Sequence, residues 1–180
     1  MLKTLTLIRH TKPDISPGIC YGQTDIGVAD SFAAEAEAIT EWLSPPELII
    51  TSPLLRTRCL AEFLASKYSC ELRTHAGLME INFGGWEGRA WNDIARGEIE
   101  AWSADILHYT PPHGESAQQL IMRVHKLQQD LALLPQQHIA IVAHGGSMRA
   151  LLAHAASIPL VHTLNWQIDY GAVISLRHKI

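Results

Sequence analysis

The sequence predicts an α/β protein, a three-layer α/β/α sandwich with a mostly parallel central sheet. Short runs rich in β-branched residues alternate with longer stretches of helical periodicity, and no shift in composition marks a linker. The chain has 180 residues, a length that suits one domain with a substantial buried core. We therefore predict a single domain over residues 1–180.

The first half of the chain supplies elements of both kinds. Residues 1–9 alternate like a strand, and the turn-rich segment 13–27 is long enough to cover a site. Residues 31–43 are alanine-rich with apolar side chains at helical spacing, and the apolar run 48–52 is typical of a buried strand. Because Ser52 is a capping residue and proline follows it, a helix is predicted from there to residue 68.

The second half continues the alternation. In order, the predicted elements are a weak strand over 71–74, a loop over 75–88, short helices over 91–96 and 99–107, an amphipathic helix over 116–134 capped by Ser116, a strand over 139–143 and a helix over 146–156. Residues 164–168 and 172–176 flank a tight turn. We predict that they form two strands of a hairpin.

Composition excludes several kinds of partner. A net charge of −4 without a basic run argues against nucleic acid or a membrane surface, and no apolar run approaches the ~20 residues of a membrane helix. The three cysteines, Cys20, Cys59 and Cys70, are spaced neither as a metal knuckle nor as a redox pair. We expect a cytoplasmic protein that acts on a small molecule.

Two histidines stand where predicted buried strands end. His10 follows the first strand directly, and His144 follows the strand at 139–143. Open α/β sheets bind ligands at the carboxyl ends of their strands. If these two strands are neighbours, both histidines converge with Arg9 on one crevice. One histidine alone is more often structural, so the hypothesis depends on the pair.

Five motifs occur in an order and spacing that resemble the histidine phosphatase superfamily. They are Arg9-His10 after the first strand, Ser52-Pro53-Leu54-Leu55-Arg56-Thr57, the loop from Leu78 to Gly88, Gly114-Glu115-Ser116, and Ala143-His144-Gly145-Gly146. That superfamily includes cofactor-dependent phosphoglycerate mutases and small phosphatases, so the resemblance implies a phosphoglycerate mutase-like fold. Residues 17–25 are most similar to the α-ribazole phosphatase branch, which acts in cobalamin biosynthesis.

The resemblance implies hydrolysis of a phosphate monoester through a phosphohistidine on His10, with no cofactor and no metal. Arg9 and Arg56 would grip phosphate oxygens, since guanidinium groups match their geometry. His144 would donate a further hydrogen bond to the phosphate. The backbone amide of Gly145 would add another, because amides at a helix start favour anions.

Proton transfer needs a further group beside the phosphate. Glu80 matches the family position for a general acid that protonates the leaving alkoxide and then, as base, activates water. Tyr21 and Gln23 in the covering segment are candidates for binding substrate. His75 opens the loop that carries Glu80 and is expected near the crevice. Thr11 stands where the family more often has glycine.

Three alternatives remain beside a small-molecule phosphatase. Phosphotransfer as in phosphoglycerate mutases is one, although those proteins carry extra segments around the substrate for which this chain has little room. A phosphatase acting on protein phosphohistidine is another, and the segment 13–27 argues mildly against it. A non-catalytic phosphate-binding module is the third. The presence of His10, Arg56, Glu80 and His144 together argues against that last reading.

Overall fold

A five-stranded sheet forms the centre of the protein. A computed structural model describes residues 2–179; Met1 and Ile180, at the ends of the predicted domain, lie outside them. The strands are β1 (Leu2–Arg9), β2 (Leu48–Thr51), β3 (Glu71–Thr74), β4 (His138–Ala143) and β5 (Val173–Lys179). They lie in the order β3-β2-β4-β1-β5, and only the β1–β5 pair among them is antiparallel. The predicted mostly parallel sheet is confirmed.

Helices cover both faces of this sheet. They are α1 (Phe32–Thr40), α2 (Leu55–Tyr68), α3 (Arg96–Ala104), α4 (Ala117–Ala132) and α5 (Gly145–Ala155), with short 3-10 helices at Ala76–Leu78, Gly84–Trp86, Trp91–Asp93 and Leu160–Thr163. The α4 and α5 helices pack on one face, and α1 and α2 pack on the other. Among the described residues, no helix combines the length and the apolar character needed to cross a bilayer.

Alternation along β4 shows why the fold has three layers. Ile139 and Ile141 are buried in the core shared with α4 and α5, whereas Ala140 and Val142 are buried in the core shared with α1 and α2. Successive side chains of a strand point to opposite faces, so a central strand must be apolar throughout. The continuous apolar run in the sequence therefore marks a strand that is buried on both faces.

One predicted helix start and one predicted strand were wrong. The second helix begins at Leu55 rather than beside Ser52, and the Asp25 carboxylate accepts the hydrogen bond of the Leu55 amide at 2.6 Å. Residues 164–168 form no strand, so β5 pairs with β1 instead of forming a hairpin. The backbone there turns after a 3-10 helix, and its carbonyls are bonded by arginine side chains from β1 and α5. By contrast, Ser116 caps α4 as predicted.

Candidate active site

Three neighbouring strands end at one edge of the sheet. The order β2-β4-β1 places Ser52, His144 and His10 side by side, because each follows the last residue of its strand. The rings of His10 and His144 meet edge to face with their centroids 5.2 Å apart. The parallel pairing of β1 with β4 thus brings together the two histidines that stand far apart in the sequence.

His10 is held as a neutral imidazole with a defined proton position. It is 1% exposed, and its Nδ1 lies 2.7 Å from the Thr11 carbonyl oxygen. A carbonyl only accepts hydrogen bonds, so Nδ1 carries the proton and Nε2 keeps its lone pair. The pKa of His10 is lowered to about 3, mainly by burial and to a smaller extent by the positive charges of Arg56 and Arg9, while the Thr11 hydrogen bond acts in the opposite direction. Threonine at position 11 leaves this backbone contact intact.

His144 is buried beside it with one ring nitrogen bonded. Its Nε2 lies 2.9 Å from the Ser52 hydroxyl oxygen, whereas its Nδ1 is buried without a hydrogen-bond partner among the described residues. Burial, and then the proximity of His10 and Arg56, holds the pKa of His144 well below its ordinary value. The ring is therefore neutral near pH 7.

Two arginines flank the histidines and are anchored by backbone carbonyls. Arg56, which is fully buried at the start of α2, donates to Gly22 at 2.6 Å and to Thr24 at 2.9 Å. Arg9 donates from Nη1 to Ile168 at 2.6 Å. The Nε atoms of both arginines are buried without a protein partner among the described residues. Buried donors are nearly always bonded, so each of these calls for an acceptor.

Glu80 reaches the same site from the loop after β3. Its two carboxylate oxygens accept hydrogen bonds from the amides of Ile81 and Gly146, both at 2.9 Å. A Cβ on Gly146 would collide with this carboxylate, so glycine is required there for the approach. The Arg123 side chain donates to the Glu80 carbonyl at 2.9 Å and pairs with Glu115. Glu80 is therefore fixed at both its backbone and its side chain.

A cavity of about 300 Å³ opens beside His10. Arg9, His10, Tyr21, Glu80 and Arg149 supply its charged and polar lining. The rest of the wall is mainly apolar and aromatic, with Ile19, Phe83, Trp91, Trp102, Ile106 and Leu164 among its side chains. The cavity thus joins a polar site to an apolar compartment.

The remaining residues that the sequence suggested, Tyr21, Gln23 and His75, differ in whether they line the cavity. The Tyr21 hydroxyl lies 2.7 Å from that of Tyr170, whose ring is 4.1 Å from the Arg9 guanidinium carbon. Gln23 does not line the cavity, and its side-chain amide donates to the Glu80 carbonyl at 3.0 Å. His75 also lies outside the cavity, where its Nε2 faces Asp130 at 3.3 Å, so the expectation that it borders the crevice was wrong.

Other site residues escaped sequence reasoning. Arg149 follows Gly145 by one helical turn, and this spacing could have revealed it on the site-facing side of α5. The sequence indicates only a helix cap at Ser52. Tyr170 lies in the segment whose predicted hairpin does not form, so no periodicity pointed to it. Among residues 2–179, no group of three or more His, Cys, Asp or Glu side chains is arranged to hold a metal ion.

Comparison with known proteins identifies the family. A family model described as the histidine phosphatase superfamily, branch 1, matches residues 5–179. The adenosylcobalamin/alpha-ribazole phosphatase of Salmonella typhimurium is 25% identical, over 93% of this chain and 86% of its own length. The glucosyl-3-phosphoglycerate phosphatase of Mycobacterium tuberculosis is 28% identical, over 91% of this chain and 78% of its own.

A solved structure extends the likeness to three dimensions. The crystal structure of the alpha-ribazole phosphatase from Shigella flexneri superposes with a TM-score of 0.88 at 25% identity, and covers 96% of this chain and 89% of that one. The family model spans nearly all of this sequence, and both of these relatives are named phosphatases. The chain therefore belongs to the histidine phosphatase superfamily and is a phosphoric monoester hydrolase.

Proposed function

We propose that the protein hydrolyses a small phosphate monoester in two steps, through a phosphohistidine on His10. The observation that carries the proposal is the group of buried, unpaired nitrogens around His10. Those on Arg9 and Arg56 are donors, and the His144 Nδ1 stands beside them. A phosphate supplies acceptors for such groups, and guanidinium donors suit its geometry.

In the first step, the Nε2 lone pair of His10 attacks phosphorus and the bond to the leaving oxygen breaks. Arg9, Arg56 and His144 stabilise the charge on the equatorial oxygens of the transferring group. The amide of Gly145, the first residue of α5, is placed at a helix N-terminus and adds a donor to an anion there. Glu80, as the acid, gives its proton to the departing alkoxide.

The second step regenerates the enzyme. Glu80, now a carboxylate, takes a proton from a water molecule, and the resulting oxygen nucleophile attacks phosphorus. The bond between phosphorus and His10 breaks, the imidazole recovers its lone pair and inorganic phosphate leaves. Two amides fix the Glu80 carboxylate, so the same oxygens serve both steps from one position.

The apolar wall favours a substrate with a flat aromatic group, and we propose α-ribazole 5′-phosphate. Phe83, Trp91 and Trp102 present aromatic surface to the cavity, and an aromatic base packs on such surface by stacking and burial. Similarity to the Salmonella and Shigella enzymes supports this choice. The proposal places the protein in the cytoplasm, in cobalamin biosynthesis.

One observation favours a second candidate. Arg149 contributes a guanidinium to the cavity wall, where it suits a substrate with another acidic group. 3-Phosphoglycerate has such a carboxylate and is the substrate type of the phosphoglycerate mutases. In the same way, a glucosyl-3-phosphoglycerate would place its acid at Arg149, but its sugar hydroxyls would lie against apolar side chains.

Phosphate release from four substrates separates these candidates, with His10→Ala as the blank. The substrates are α-ribazole 5′-phosphate and ribose 5-phosphate, which form a matched pair, together with 3-phosphoglycerate and phosphoserine. Ribose 5-phosphate lacks only the aromatic base. Burial of about 80 Å² of that base contributes about 2 kcal/mol, so we expect kcat/KM for the ribazole phosphate to exceed that for ribose 5-phosphate about thirtyfold.

The variant Trp102→Ala links the preference to the aromatic wall. It should lower kcat/KM for the ribazole phosphate while leaving that for ribose 5-phosphate within about twofold, because the phosphate site is untouched. Equal rates on the matched pair would exclude the aromatic assignment, and a preference for 3-phosphoglycerate would support the second candidate. Assays include EDTA, since inhibition by this chelator would indicate a metal-dependent route.

A further inference from the structure

Ser52 occupies the place of a helix cap but has another partner. Its hydroxyl oxygen lies 3.3 Å from the Leu54 amide nitrogen and 2.9 Å from Nε2 of His144. Both Ser52 and His144 are fully buried. The α2 helix starts at Leu55, beyond the reach of a cap from this serine, so the hydroxyl has a role other than starting the helix.

The proton positions in this group follow from its partners. The Leu54 amide can only donate, so it uses a lone pair of the Ser52 oxygen. Among the described residues, the only other recorded partner of that oxygen is Nε2 of His144, which leaves this nitrogen as the acceptor for the hydroxyl proton. The opposite assignment would leave a buried hydroxyl proton without an acceptor. Nε2 therefore carries a lone pair, and Nδ1 carries the single proton of the neutral ring.

We propose that Ser52 is a positioning residue that fixes the tautomer of His144, so that its Nδ1–H donates to the phosphate transferred at His10. The proposal rests on the proposed function for the identity of the anion. In the opposite tautomer, a lone pair on Nδ1 would face the phosphate oxygens and repel them. Nδ1 of His144 has no partner among the described residues, and the rings of His10 and His144 are in contact. Nδ1 is therefore free to donate to an anion bound at His10.

Neutrality of His144 is what makes the tautomer matter. Burial, with His10 and Arg56 nearby, lowers the pKa of His144, so the ring cannot donate from both nitrogens near pH 7. A doubly protonated ring would offer Nδ1–H whatever Ser52 did. With one proton to place, the partner of Nε2 decides whether Nδ1 attracts or repels an anion.

The direct test is the tautomer itself. Two-bond proton–nitrogen correlation spectra of ¹⁵N-histidine-labelled protein distinguish the two neutral forms, with the His144 signal assigned from its absence in His144→Gln. The proposal expects the Nδ1–H form in the wild type and a partial shift to the Nε2–H form in Ser52→Ala. An Nε2–H form in the wild type would overturn it, and this arm holds even if the variant does not fold.

The second readout is the affinity for inorganic phosphate, which is measured by calorimetry. Ser52→Ala should weaken phosphate binding about tenfold, because the Nδ1–H form that donates to the anion should fall to about one tenth of the molecules. Ser52→Thr keeps the hydroxyl and should restore the Nδ1–H form. The matched control is Ser147→Ala, since the Ser147 hydroxyl is also buried but bonds the backbone of His144, with its amide at 3.2 Å.

The outcomes separate this inference from the proposed function. Ser147→Ala should leave the tautomer unchanged and phosphate affinity within about twofold. Equal losses in Ser147→Ala and Ser52→Ala would overturn the tautomer argument, as would an unchanged tautomer in Ser52→Ala. Failure to turn over any phosphate monoester would instead refute the proposed function, and the tautomer and phosphate affinity would still be measurable.

Discussion

The buried neutral His10 makes the stability of the fold depend on pH in a calculable way. In the folded protein its pKa is about 3, mainly because of burial, against an ordinary value of 6.5. A folded-state pKa below the unfolded one means that the unfolded chain binds the proton first as the pH falls. The associated stability is complete above pH 6.5 and is lost progressively as the pH falls towards 3.

The size of this effect between pH 7 and pH 5 follows from those values. A pH of 5 lies 1.5 units below the unfolded-state pKa of 6.5, so the unfolded histidine is protonated, whereas the folded one is still neutral. At about 1.4 kcal/mol per unit, protonation stabilises the unfolded state by about 2 kcal/mol. His10→Asn removes the titrating ring and leaves a side-chain amide that can donate to the Thr11 carbonyl. The wild type should therefore lose about 2 kcal/mol more than this variant.

Urea unfolding at pH 7 and pH 5 measures this difference. The buffers must contain no phosphate or sulfate, because an anion bound to the folded state would add stability of its own. His162→Asn, at an exposed surface histidine, is the matched control. Wild type and His10→Asn share all other titrating groups, so the contributions of those groups cancel in the difference between the two proteins. If His10→Asn and wild type lost the same free energy of unfolding between the two pH values, the buried neutral imidazole would be refuted.

Further predictions concern the groups around His10. Glu80→Gln should lower kcat by about 10²–10⁴ while the inhibition constant of vanadate changes less than about threefold, measured by phosphate release. Loss of vanadate affinity in proportion to kcat would contradict the acid–base role. Arg56→Lys should weaken phosphate binding at least about tenfold in calorimetry, because an ammonium lacks the guanidinium fork; unchanged affinity would argue against a phosphate contact. Arg123→Met should reduce the free energy of unfolding by about 3 kcal/mol, since it leaves the mostly buried carboxylate of Glu115 without its partner, and an unchanged urea midpoint would contradict this.

The sequence predicted those site residues that lie at the ends of strands or at the start of a helix. His10 follows a segment that alternates like a strand, and His144 follows an apolar run that is typical of a buried strand; parallel strands ending at one edge bring such residues together. Arg56 lies in the first turn of a helix, where a cation is unfavourable without a specific purpose. These positions depend on periodicity and strand direction, which are local properties of the chain.

Loop conformation explains what could not be predicted. Trp91 and Trp102 line one cavity with Phe83 because the segment between β3 and α4 folds back on itself, and no periodicity encodes that path. Ser52 has the composition of a cap, but a tertiary bond to His144 competes for its hydroxyl. Tertiary contacts of this kind override local propensity and are not visible in a single sequence.

Trapping the covalent intermediate tests the central claim most directly. The protein is mixed with a ³²P-labelled phosphate monoester that it turns over, quenched in alkali, which preserves the phosphorus–nitrogen bond, and digested for mass spectrometry. The account predicts labelled phosphate on the peptide that contains His10, and none in His10→Ala. Turnover at the wild-type rate with no label on His10, or with label on another residue, would contradict it.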